Sequence, residues 1–459
     1  MSEPKSERDW CFCDGAGGME HQAARPTRRE VLRNGATAAV TGLAALGLAQ
    51  GSALAQVALN PGATDEAGGT GRDVLVSIFL RGAADGLSMA VPYADDDYYR
   101  ARPTLALAAP AKGTAVGDGK DGKSVRLDDR FALHPALALL APLFHDGTMA
   151  AVHAVGSGDQ TRSHFEAMAA MERGLYTDAG REASGWLARH LLTTTPGTGA
   201  ASPLRAVVFS NVLFDSLRGA TDVSVLTSLS DFRLDLPRPE LTRSLAALYG
   251  GGGSGGDAVA AAGRETLAVL KTLERLDPAS YRPANGAEYP GSSLGQGLKQ
   301  TASLVKARVG MEVACLDRGG WDTHVGQGGA TGWLAAQLDD VAKSVAAFVR
   351  DLGDAEMRRV TVLVQTEFGR RVRENSGLGT DHGRASALFV LGGGVNGGRV
   401  YGQWPGLKPD QLENPGDLRV TTDYRDVLAE IVAKRLRNEA GLPTIFPNTR
   451  PRYLGIVRA

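Results

Sequence analysis

Six short apolar runs punctuate the chain: Asp73 to Leu80 (DVLVSIFL), Met149 to Val155, Leu204 to Phe209, Met311 to Leu316, Val360 to Val364 and Ala387 to Leu391. Nearly continuous β-branched and aliphatic runs of this length, bounded by glycine and polar turns, read as strands buried on both faces. Helical patterning lies between them, over Pro135 to Phe144, Ser163 to Arg173, Pro239 to Tyr249, Ala258 to Leu276, a segment ending near Val309, Gly332 to Leu352 and Asp423 to Asn438. Strands alternating with helices predict an α/β fold, with a mostly parallel central sheet and helices on both faces. The Gly250 to Gly256 run reads as a flexible connector between two helices, so that residues 235–292 or so form a helical insertion. Core-like strands lie on both sides of it. One discontinuous α/β domain over 73–459 is therefore expected, with Ala111 to Lys123 as a surface excursion and no internal repeat.

The first 72 residues do not fit this pattern. Arg28-Arg29 precede an uncharged Ala/Gly/Leu stretch that runs to Ser52-Ala53-Leu54-Ala55, with small residues at 53 and 55. That is the pattern of a secretory leader with a twin-arginine signal over 1–55, followed by a linker over 56–72. A membrane anchor is the alternative, but Gly42, Gly47 and Gln50 dilute the apolar run below the roughly 20 residues a span requires. The leader predicts a periplasmic or secreted protein without a membrane span once mature, and the twin-arginine export machinery as its partner. Cargo of that route is folded before export, often with a metal inserted, which favours a metalloprotein.

Charge excludes more than it suggests. Formal charge is -1, and removing 1–55 takes away six basic and six acidic residues, leaving the balance unchanged. Nucleic acid and anionic membrane surfaces call for a concentrated basic excess, so neither is an expected partner. Cys11 and Cys13 fall in the leader, so Cys315 has no cysteine partner in the mature chain.

Candidate chemistry collects where strands end. In an open α/β sheet, ligands bind beyond the carboxyl ends of the strands. Asp85 follows the first run; Ser163 and His164 follow the Met149 run; Asp322 and His324 follow the Cys315 run; Glu367 follows the Val360 run; Asp381 and His382 precede Ala387. Carboxylates mixed with imidazoles suit a divalent metal, Zn, Mn, Mg or Ca, better than a thiolate-seeking ion. Ser163-His164-Phe165-Glu166 fits a capping box, with the serine satisfying a helix-start N–H and Glu166 reciprocating. The same position would help a nucleophile through the helix dipole, so cap and nucleophile both stay open. Arg81, Arg162, Arg370 and Arg384 could hold an anionic substrate group by bidentate bonds, or pair with nearby carboxylates. His134, His145, His153 and His190 occur singly in apolar or helical settings and read as structural.

Four stretches together resemble a known pattern: Leu80-Arg81-Gly82-Ala83-Ala84-Asp85-Gly86-Leu87, Arg162-Ser163-His164-Phe165-Glu166 with Met171-Glu172-Arg173-Gly174, Gly320-Trp321-Asp322-Thr323-His324, and Thr366-Glu367-Phe368-Gly369-Arg370 with Asp381-His382-Gly383. They are similar to an uncharacterised, twin-arginine-exported domain-of-unknown-function family that resembles the alkaline phosphatase and sulfatase superfamily. The resemblance implies an alkaline-phosphatase-like fold and a metal-dependent hydrolase of phosphate or related sulfate or phosphonate esters. It makes Asp85, Asp322, His324, Glu367 and His382 metal ligands and Ser163 the counterpart of the nucleophile. Phe368 stands where the phosphatases have a histidine after the strand-end carboxylate, an absence for which His164 or Asp381 could compensate. A formylglycine sulfatase does not fit, because neither Cys315 nor Ser163 lies in a C/S-x-P-x-R context. The departure at Phe368 leaves an alternative: a non-catalytic, metal-stabilised cell-surface protein that binds a glycan or assembles with a protein partner.

Overall fold

The structure is a computed structural model, and its described residues are 73–111, 117–176, 184–194, 202–234, 239–250 and 258–459. The leader, the linker and most of the Gly250 to Gly256 connector lie outside them, as do residues 112–116 of the surface excursion.

Among the described residues, nine strands form the central sheet. In chain order they are β1 (Val74–Leu80), β2 (Met149–Gly156), β3 (Ala206–Phe209), β4 (Val223–Leu226), β5 (Val313–Arg318), β6 (Val360–Gln365), β7 (Ser386–Gly392) and the short edge strands β8 (Val400–Tyr401) and β9 (Thr422–Asp423). The spatial order is β8-β2-β7-β6-β1-β5-β3-β4, with β9 also paired to β2. β1 is parallel to both β5 and β6, and β3 is parallel to both β5 and β4. β7 alone runs against its neighbours β2 and β6. The expected mixed α/β architecture with a mostly parallel sheet is thus present.

Alternation along β1 divides the core into two layers, as the period of two dictates. Val74, Val76, Ile78 and Leu80 enter one layer with Leu298 of the helix Ser293–Lys306 and Leu338 of the helix Trp333–Met357. Leu75 and Phe79 enter the other with Leu187 of Trp186–Thr193 and Leu428 of Tyr424–Lys434. Both faces of the sheet are therefore covered, which is why its strands are continuously apolar.

Several boundaries differ from the sequence pattern for local reasons. The helix at Pro135 begins as a 3-10 turn, Pro135–Leu140, before Ala141–His145 closes it. The long helix kinks at Gly353, where φ is 63°, then continues to Met357. Leu352 was therefore the end of the straight segment only. β4 and the helix Trp186–Thr193 escape sequence reading because β4 is a half-exposed four-residue edge strand and the helix buries Arg189 and His190. The predicted insertion contains Pro239–Gly250 and Ala258–Leu276. Among the described residues, no helix is long and apolar enough to cross a membrane.

β7 runs antiparallel to its neighbour β6, so residues 366–385 leave the carboxyl end of β6 and return beside it. This places Glu367, at the start of the excursion, and His382, at its end, on one edge of the sheet. A bridge between Arg370 and His382 ties the two arms together.

Candidate metal centre

Backbone close approach builds the site. Gly82 follows β1 at φ +119°, and a Cβ there would lie 2.8 Å from the Asp322 nitrogen. Only glycine allows the β1 and β5 loops to meet so closely. Gly369 serves the β6–β7 excursion likewise, since a Cβ would fall 1.8 Å from the Ala385 carbonyl oxygen.

Three imidazoles converge on one carboxylate. Asp322 Oδ1 lies 3.1 Å from His382 Nε2, 3.1 Å from His324 Nε2 and 3.4 Å from His164 Nε2. The Nε2 atoms of His324 and His382 are 2.9 Å apart. His164, Asp322 and His382 offer ligand atoms that all lie within 4.8 Å of one another. For comparison, a tetrahedral ion with bonds of about 2.1 Å has ligand atoms about 3.4 Å apart.

The other ring nitrogens decide what those Nε2 atoms are. His164 Nδ1 lies 2.7 Å from Glu367 Oε1, His324 Nδ1 3.1 Å from Asp381 Oδ1, and His382 Nδ1 2.8 Å from the Arg162 carbonyl oxygen. A carbonyl or an ionised carboxylate only accepts, so each neutral ring donates from Nδ1 and presents a lone pair at Nε2. His164 Nε2 is buried and has no hydrogen-bond partner. Lone pairs facing one another and a carboxylate repel unless a proton or a cation lies between them. Rings oriented through Nδ1 onto carboxylates and carbonyls are how metal-ligating histidines are fixed.

Charge supports the same arrangement. Partial burial raises the Asp322 carboxyl, but the Arg370 guanidinium, hydrogen-bonded to it, overrides this and holds the group well below the usual carboxylate range. The hydrogen bond to Glu367 raises His164 above its ordinary value against the effect of burial. Burial lowers His382, with Asp322 opposing. Asn375 donates to Asp381 at 2.9 Å and is the main reason that this carboxyl is depressed.

Some expected site residues take different parts. Asp85 does not join the cluster: its carboxylate, 1% exposed, accepts both terminal nitrogens of Arg102 at 2.5 and 3.0 Å, together with Ser88 and Gln327. Burial raises the Asp85 carboxyl, but the Arg102 guanidinium reverses this and holds it low. Arg102 thus supplies the positive charge that the sequence assigned to a metal. Glu367 is buried and orients His164, while also accepting from the Gly82 nitrogen and Thr366 hydroxyl. Asp381 stands behind His324 in the same manner. His164 instead offers a candidate ligand nitrogen, in the neighbourhood of Phe368, whose ring stacks on it at 5.0 Å between centroids.

The arginines are occupied. Arg370 is fully buried and donates to the carbonyl oxygens of Gly82, Ala83, Trp321 and Thr380 as well as to Asp322 Oδ1 at 2.7 Å. Arg81 pairs with Asp317 and Glu172, Arg162 with Asp417, and Arg384 with Glu413. The anion-holding role expected of these four has no support in their contacts, because neighbouring carboxylates and backbone carbonyl oxygens already take their donors. Ser163 is the N-cap of the helix His164–Arg173, accepting from the Glu166 nitrogen. The capping box is half-formed, since Glu166 Oε2 accepts from the Thr161 hydroxyl at 2.7 Å instead of reaching back to Ser163. His134 and His153 are buried and hydrogen-bonded to backbone groups away from the cluster.

Arg102, Asn375 and Asp417 were missed by sequence reasoning. A buried carboxylate announces that it needs a partner, but nothing in sequence spacing says that Asp85 finds Arg102 or that Arg162 finds Asp417. Asp417 has a fully buried side chain and anchors Arg162, whose carbonyl oxygen fixes His382. Asp417→Asn is expected to weaken divalent-metal affinity by about tenfold, the lower end for losses behind a ligand, with the fold retained. Isothermal titration with zinc checks this.

The fold and this cluster define an α/β protein with a candidate metal-binding triad, His164, Asp322 and His382, at the carboxyl edge of its sheet. The chain belongs to the family described as "Protein of unknown function (DUF1501)", which matches residues 72–436. No curated protein gives a significant match.

Proposed function

We propose that the protein is an exported, metal-dependent hydrolase of phosphate or related esters on an alkaline-phosphatase-like fold. The observation that carries this reading is that His164, Asp322 and His382 offer ligand atoms within 4.8 Å of one another, with His324 Nε2 adjoining at 3.1 Å from Asp322 Oδ1. Three imidazoles and one carboxylate favour zinc over magnesium or calcium, which prefer all-oxygen shells. When bound, such an ion polarises an ester oxygen and lowers the pKa of water. His164, His324, His382 and Asp322 would hold it, Glu367 and Asp381 keep two rings in the right tautomer, and Phe368 walls one side of His164. Export rests on the twin-arginine pattern of residues 1–55, and the resemblance at the strand ends supports the fold.

Water, rather than Ser163, is the proposed nucleophile, because the Ser163 oxygen serves the helix start. Ser163→Ala is expected to lose about 1 kcal/mol of stability, the typical value of an N-cap, while hydrolysis persists. Zinc-loaded full chain assayed on phosphomonoesters, phosphodiesters and sulfate esters tests the reading. Turnover that disappears in Asp322→Asn supports it, and metal retention without turnover on any ester overturns it. That second outcome belongs to a metal-stabilised binding protein for a glycan or protein partner. The pairing of Arg81, Arg162, Arg370 and Arg384 with carboxylates is the observation that favours this alternative.

A further inference from the structure

One buried amide joins three of the loops that build the candidate site. Gln327 is fully buried, and its Nε2 donates to Asp85 Oδ2 at 2.8 Å, on the loop after β1. Its Oε1 accepts from the Thr323 hydroxyl at 2.9 Å and from the Thr380 hydroxyl at 2.6 Å. Thr323 stands between Asp322 and His324 on the loop after β5, and Thr380 directly precedes Asp381 and His382 on the β6–β7 excursion. Both threonines are buried. The Asp85 carboxylate, paired with Arg102, only accepts and so takes the amide NH2, which leaves the amide oxygen for the two hydroxyls.

Backbone contacts close the same joint. The Thr380 nitrogen donates to the Thr323 carbonyl oxygen at 3.1 Å, Gly326 to Gly377 at 2.9 Å and Gln327 to Leu378 at 2.9 Å. A Cβ at Gly379 would lie 2.4 Å from the carbonyl oxygens of both Thr323 and His324, so the two loops meet at a distance that only glycine allows. These bonds fasten the loops to each other. The Gln327 side chain fastens the pair to a fixed base, because Asp85 accepts both terminal nitrogens of Arg102 in the buried interior. We propose that Gln327 is the positioning residue of the candidate site: it holds the Asp322–His324 loop and the Asp381–His382 turn in one register above the Arg102–Asp85 pair. This rests on the metal-centre reading. It also gives Asp85 a part in the site as a footing under two ligand-bearing loops.

Full-length Gln327→Met, which keeps the length of the side chain and removes its three hydrogen bonds, tests this without turnover. The readouts are zinc affinity by calorimetry and the visible spectrum of the cobalt-loaded chain, which reports coordination geometry. Zinc affinity is expected to fall about tenfold, the lower end for groups that stand behind ligands, and the cobalt spectrum to change. Thr380→Val removes a single hydroxyl and is expected to shift both readouts in the same direction, whereas Thr380→Ser, which keeps the hydroxyl, restores them. Tyr281→Phe removes a hydrogen bond to Asp351 at the far end of the helix Trp333–Met357, and should lower stability while leaving both readouts unchanged. Folded Gln327→Met and Thr380→Val with the natural affinity and spectrum overturn the inference while the metal reading stands. Thr380→Ser behaving as Thr380→Val does, or Tyr281→Phe losing as much affinity, overturns it in favour of general destabilisation. A wild-type chain that takes up neither zinc nor cobalt overturns both.

Discussion

Arg102→Ala is expected to cost about 3–5 kcal/mol, the range for a buried ion pair broken on one side. Both partners are fully buried, so Asp85 would keep its charge in an apolar interior or take up a proton. Arg102 also donates to the carbonyl oxygens of Val372 and Arg371, which join the β1 loop to the β6–β7 excursion. The loss is a large share of the roughly 5–15 kcal/mol that holds a typical protein folded. Urea denaturation followed by circular dichroism measures it. Asp85→Ala should destabilise the chain while folded molecules retain their metal, since Arg102 and not an ion neutralises this carboxylate. Loss of metal from folded Asp85→Ala would restore Asp85 as a ligand.

His382→Ala is expected to reduce divalent-metal affinity by more than about 100-fold, beyond the range produced by groups standing behind a ligand. Its Nε2 lies within 3.1 Å of both Asp322 Oδ1 and His324 Nε2, so its removal opens one side of the cluster. pH should act in the same direction. The pair with Glu367 holds His164 above its ordinary value, so the metal-free protein carries a proton there to somewhat higher pH than a free imidazole would. Metal uptake must displace that proton. Affinity should therefore be full above the raised value and fall as pH drops through it, with protons released on binding. Calorimetry in buffers of different ionisation enthalpy counts those protons.

Much of the fold was legible because its determinants are local. Apolar runs such as Val360 to Val364 cannot be anything but buried, and β1, β2, β5, β6 and β7 all lie where those runs do. The reversed direction of β7 was not legible, since strand direction depends on pairing between distant segments. That reversal is what brings His382, which precedes a strand, beside groups that follow strands. The candidate site was legible at the level of residue type and loop. Which ring nitrogen each carboxylate faces was not: Glu367 and Asp381 meet Nδ1 atoms, whereas Asp322 meets Nε2 atoms. The arginines were ambiguous for the same reason, because ion pairs such as Arg162 with Asp417 span large sequence separations. Phe368 changes meaning as well, from a missing ligand to the ring on which His164 rests.

Elemental analysis of the purified full chain, with equilibrium zinc titration of the chelator-treated protein, tests the central claim most directly. One equivalent of divalent metal per chain, lost in His382→Ala and retained in folded Asp85→Ala, is the result expected of a single site formed by His164, His324, His382 and Asp322. No bound metal and no zinc uptake would contradict it.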